Sequence, residues 1–95
     1  MAEVTTARVP TTHASRYLQQ LCKHWSHKLE VVFNEAGGTI RFPSGAVVTL
    51  DAGPEALGAR IEAPDAETLD RMKGVLAEHL DRFAFREAPL SFDWR

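Results

Sequence analysis

Residues 29–63 constrain the fold most, because four short runs of alternating apolar and polar residues are separated there by three breaks rich in glycine and proline. Side chains on a strand point to opposite faces in turn, so each run sorts itself into an inward and an outward set. In 29–34 the inward set is Leu29, Val31 and Phe33, and in 39–42 it is Ile40 and Phe42. In 46–51 it is Ala46, Val48 and Leu50, and in 56–63 it is Leu57, Ala59, Ile61 and Ala63. Ala36-Gly37-Gly38, Pro43-Ser44-Gly45 and Ala52-Gly53-Pro54 are too short for crossovers and carry the residues that tight turns require. The expectation is an antiparallel four-strand meander with one apolar face that something must cover.

Two amphipathic segments flank the meander. Wound at about 100° per residue, residues 13–27 place Ala14, Leu18, Leu21, Cys22 and Trp25 on one side, with Tyr17 at the border. His13, Arg16, Gln20, Lys23, His24 and His27 fall on the other. Thr11 or Thr12 offers the N-cap hydroxyl. Pro64-Asp65 ends the last strand and caps a second helix, whose stripe is Leu69, Met72, Leu76, Leu80 and Phe83, flanked by Val75 and His79. Asp70, Arg71, Gly74, Glu78 and Asp81 face water. Gly74 costs that helix about 1 kcal/mol relative to alanine, with no local reason for it.

The predicted fold is a two-layer α+β sandwich of order α-β-β-β-β-α, one domain over residues 1–95. Extra strands at 3–9 and at 90–94 are left open. Residues 3–9 alternate only weakly, whereas Leu90, Phe92 and Trp94 alternate with Ser91 and Asp93 and read as a terminal strand. The arrangement is similar to half of the TATA-binding-protein-like fold, and fold similarity carries no function by itself.

Composition excludes some functions. One cysteine among 95 residues cannot form an internal disulfide, the first ten residues lack the signature of a signal peptide, and no apolar run approaches the ~18 residues of a membrane span. A cytoplasmic protein without membrane contact is expected. The net charge of −2 is uneven: residues 1–28 carry four basic groups against one acidic, and the remainder seven against twelve. A basic first helix on an acidic body suits an anionic small molecule or an acidic protein surface. Nucleic acid is disfavoured, because the aromatic rings of this helix lie on or near its core side.

Catalytic signatures are missing: there is no glycine-rich phosphate loop, nucleophile elbow or H-E-x-x-H. Cys22-x-His24-x-x-His27 resembles a metal cluster, but on a helix Cys22 points into the apolar stripe, away from both histidines. His24 and His27 need a further ligand; His79 supplies one if the helices lie side by side, while His13 is roughly 16 Å along the axis from His24. Arg82 and Arg86, one turn apart, suit a carboxylate or phosphate. Cations near a helix C-terminus also complement its dipole, which gives Lys23, His24, His27 and Arg82 a purely structural justification.

The segments HASRYLQQLCKHWSHK (13–28), HLDRFAFRE (79–87) and the closing FDWR together resemble a bacterial family known as domain of unknown function 2218, over nearly the whole chain. The resemblance brings no catalytic residue or cofactor. It implies an association with siderophore-interacting reductases and iron uptake. The leading expectation is therefore a non-enzymatic accessory or ligand-binding protein, linked to iron or siderophore handling, that binds through Arg16, Lys23, His24, His27, Arg82 and Arg86 and needs no cofactor. The alternatives are a metal-dependent or redox enzyme using His24, His27, His79 and Cys22, and an interaction module that forms homodimers through the open sheet face.

Overall fold

A computed structural model describes residues 2–95. Its elements run β1 (Glu3–Pro10), α1 (Ala14–Trp25), β2 (Glu30–Phe33), β3 (Gly37–Arg41), β4 (Val47–Ala52), β5 (Ala56–Ala63) and α2 (Ala66–Phe83). The strands form one antiparallel sheet in the order β1-β5-β4-β3-β2. The sheet thus has five strands rather than four. β1 and β2 are consecutive yet lie at opposite edges, so α1 must carry the chain across one face. The meander then returns strand by strand until β5 pairs with β1 along eight residues, Glu3 opposite Ala63 and Pro10 opposite Ala56. Proline fits there because β1 is an edge strand, and at its end Pro10 has no ladder partner to supply with an N–H on the outer side.

The register stacks the inward residues in rows. One row reads Thr5, Ile61, Val48, Ile40, Val31, and the next Ala7, Ala59, Leu50, Gly38, Phe33. Leu18, Leu21 and Cys22 of α1 and Leu76 and Leu80 of α2 press onto them with no accessible surface. Burying a leucine completely contributes about 1.5–3 kcal/mol, so these few contacts bind the two layers together. α1 lies over β2 to β5, and α2 over β5 and β1.

The predicted Ala36-Gly37-Gly38 turn sits elsewhere. Asn34 Oδ1 accepts from the amides of Ala36 (2.8 Å) and Gly37 (2.9 Å), making the bend itself. Gly37 and Gly38 belong to β3, where Gly38 allows close approach. A Cβ on it would stand 2.9 Å from both Cys22 Sγ and Phe33 Cβ. At Gly45 the reason is conformational, since its φ is +95°.

Helix ends also differ in detail. Asp65 caps α2 as expected, its Oδ1 accepting from Thr68 N–H at 2.7 Å. That bond to the charged form holds its pKa below the usual carboxylate value. The N-cap of α1 is His13, which makes no side-chain cap bond; Thr11 Oγ1 accepts from His13 N–H at 3.1 Å instead. The C-terminal segment is not a paired strand. Leu90 is buried, and Phe92 and Trp94 pack against the core stacked on one another at 5.5 Å. The backbone bonds β1 only at its end, through Arg95 N–H to Thr6 O (2.8 Å) and Thr6 N–H to Arg95 O (3.2 Å). Asp81, which the helical period turns toward water, instead accepts from Leu90 N–H at 2.8 Å and holds the start of this segment. Its alternation is satisfied by packing, not by a ladder.

Two glycine substitutions test this packing in opposite directions. Gly38→Ala should destabilise by about 1–3 kcal/mol, because Phe33 Cβ cannot rotate away. Gly74 is exposed and has nothing within 4 Å of an added Cβ, so Gly74→Ala should stabilise by about 1 kcal/mol. Chemical denaturation of both variants reads the difference, and equal signs would refute the assignment.

Candidate functional site

The site begins where α2 ends. The amide of Ala84 donates to Leu80 O and that of Glu87 to Ala84 O, each at 2.8 Å, so the chain turns tightly after Phe83. Ala84 is buried, while Phe85 and Arg86 are left outside; Phe85 is 71% exposed. Glu87 ties the turn to the first helix. Its carboxylate accepts from the Thr11 hydroxyl, 3.1 Å from either oxygen, and from the Tyr17 hydroxyl. Thr11 and Tyr17 are both buried, so each hydroxyl needs such a partner.

This tie sets Arg86 opposite Arg16. Between them lies an open cleft of about 450 Å³ lined by Arg16, Tyr17, Gln20, Phe83, Phe85 and Arg86. The Arg86 guanidinium stands 5.7 Å from the centre of the Phe85 ring, within cation–π range. The ion pairs among the described residues are Arg41–Glu30, Arg60–Glu62, Arg71–Glu67 and Arg95–Asp93. None involves Arg16 or Arg86. Two guanidinium groups, an amide and two phenyl faces can receive a planar anion, with charge at one end and stacking along its length.

Of the six residues expected to bind, only Arg16 and Arg86 line this cleft. Lys23 and His24 occupy the last turn of α1, and Arg82 the last turn of α2. His27 lies in the exposed turn beyond α1. The structure does bring His24 and His79 together across the helix interface, ring centres 5.6 Å apart. His24 also meets Phe83 at 5.7 Å, and His79 lies 4.9 Å from Trp25. His27 is not part of a three-ligand set with them: among the described residues no three His, Cys, Asp or Glu side chains are grouped to hold a metal ion. Cys22 faces Gly38 with no exposed surface, and burial pushes its thiol up to about 11. In this position the thiol packs against Gly38.

Sequence reasoning missed Phe85 and the Thr11–Glu87–Tyr17 network. One signal was available: a tyrosine at the border of an apolar stripe needs a partner for its hydroxyl. Its identity, 70 residues away, was not legible.

The family model described as "Uncharacterized protein conserved in bacteria (DUF2218)" matches residues 6–95. Among solved structures, the NMR structure of PA4090 from Pseudomonas aeruginosa is similar at a TM-score of 0.81 and 36% identity, covering 97% of this chain and 94% of that one. No curated protein matches. Among the described residues no helix is long and apolar enough to cross a membrane.

The network has a measurable signature. Burial raises the Tyr17 pKa, and the hydrogen bond to Glu87 and that carboxylate's charge raise it further. A phenol raised on folding stabilises the fold fully below its unfolded pKa of about 10, and that stability is lost as pH rises through the folded value. Tyr17 is the single tyrosine, so tyrosinate absorbance follows it alone. We expect ionisation later in native than in urea-unfolded protein, and a smaller delay in Glu87→Gln. Coincident native and unfolded titrations would count against the network.

Proposed function

The chain belongs to the DUF2218 family of uncharacterised bacterial proteins, and we propose that it is a small, non-enzymatic cytoplasmic binding protein for an anionic, planar small molecule. The observation that carries this reading is the convergence of Arg16 and Arg86 on one cleft with Gln20, Phe83 and Phe85. A carboxylate is the natural headgroup, since guanidinium groups bind it in a bidentate geometry. Glu87 lies nearby, but its oxygens already accept from Thr11 and Tyr17. The two arginines outweigh its charge, and the cleft remains net positive.

In the isolated fold Phe85 gains only an exposed cation–π contact with Arg86, whereas a stacked ligand would remove its ring from water. The family resemblance extends this proposal to an anion of iron or siderophore handling. The β-α-β-β-β-β-α order supports reading the scaffold as half of a TATA-binding-protein-like fold.

Titration of labelled protein by NMR tests the proposal, with benzoate, inorganic phosphate and neutral benzamide as probes. Benzoate should shift the amides around Arg16, Gln20, Phe85 and Arg86. A charged hydrogen bond contributes about 1.5–3 kcal/mol, so Arg16→Ala and Arg86→Ala should each weaken binding by roughly 10–100-fold. Benzamide binding as strongly as benzoate, or shifts confined to another surface, would sink this reading.

A further inference from the structure

Beside Phe83, His24 of α1 and His79 of α2 come together with their ring centres 5.6 Å apart and their planes tilted by 45°. At ~2.0 Å per metal–nitrogen bond, two imidazoles sharing one ion place their ring centres roughly 4.5–6 Å apart. We propose that His24 and His79 form a two-imidazole site for a borderline divalent ion such as copper(II), with water completing the coordination.

A second observation supports the site independently of that spacing. His79 Nδ1 lies 2.7 Å from the carbonyl oxygen of Val75. A carbonyl only accepts, so in the neutral ring Nδ1 carries the hydrogen and Nε2 keeps its lone pair. A metal-ligating histidine is held in this way, with one nitrogen anchored to a backbone carbonyl and the other left to bind. Trp25 lies 4.9 Å from the His79 ring and Phe83 5.7 Å from the His24 ring, which restricts both rings. His24 is exposed and His79 half-buried, so the site opens to solvent and an ion can enter.

The donor set decides the class of ion. Imidazole nitrogens without carboxylates do not suit magnesium or calcium, which take oxygen ligands. They suit copper, nickel and zinc, with copper(II) at the head of the affinity series. No third protein ligand is grouped with the pair among the described residues, so the ion stays exchangeable. Cys22 is buried against the sheet and takes no part.

The position of Trp25 supplies the readout, because a paramagnetic ion bound to His79 quenches the adjacent indole. In a tag-free Trp94→Phe background Trp25 is the remaining tryptophan. Copper(II) chloride should quench its emission with one equivalent, and magnesium chloride should leave it unchanged. His24→Ala removes an exposed ring without disturbing the core, and it should weaken copper binding by roughly tenfold or more. His79→Gln should do the same, while His27→Ala should not. Paramagnetic resonance of the copper form should show coupling to two nitrogens. Undiminished quenching in His24→Ala, coupling to one nitrogen, or an equal loss in His27→Ala would overturn the assignment.

Discussion

How deeply α1 can settle on the sheet is decided at one point, where Cys22 Sγ meets the bare backbone of Gly38. β1 and β2 occupy opposite edges, so the helix joining them must cross the inner face, and any bulk beneath it would lift it. The row containing Gly38 also holds Ala7 and Ala59, which keeps the floor low. With the helix seated, Leu18 and Leu21 reach full burial. Its opposite stripe, Arg16, Gln20, Lys23 and His24, is then turned outward by the helical period alone. The basic surface is a consequence of the packing beneath it.

Glu87 acts at the next level. Without a tie, the turn after α2 would place Phe85 and Arg86 at no fixed distance from α1. The carboxylate links the corner before α1, through Thr11, to the first turns of α1, through Tyr17. A carboxylate that accepts from two buried hydroxyls gives both a partner and fixes the direction of the turn. It brings into one cleft Arg16 and Arg86, which nothing local relates.

The same contrast explains what could be read from the chain beforehand. The strands from β2 to β5 were legible because one of their faces is covered and the other open, so their polarity alternates. β1 was ambiguous for a physical reason: Thr5 points inward, with its hydroxyl donating to Arg95 O at 3.3 Å, while Val4 is 45% exposed. A buried hydroxyl and an exposed valine invert the usual alternation. Gly37 and Gly38 suit a turn on sequence alone because glycine serves turns and close approaches alike, and only the neighbour distinguishes them. The alternation of Leu90, Phe92 and Trp94 did predict which side chains are covered. It could not reveal that packing rather than a ladder covers them. At the site, Arg16 was legible from the helical period, and Arg86 from composition and position. Their meeting depends on Glu87, a contact with no periodicity behind it.

Electrostatics separates the charges that need a further explanation from those that do not. Lys23 lies in the last turn of α1 and Arg82 in the last turn of α2, where the helix dipole favours cations by about 0.3–1 kcal/mol each. Their presence follows from the stability of the helices. Arg16 is different. It lies in the first turn of α1, which contains no acidic residue, where the dipole opposes a positive charge by a similar amount. It has no place among the ion pairs of the described residues, and its neighbour across the cleft is another arginine. The helix dipole therefore gives no folding reason for a positive charge at that position. A ligand that brings negative charge between the two guanidinium groups would reverse that balance, and this is the physical argument behind the anion-binding proposal for the Arg16–Arg86 cleft.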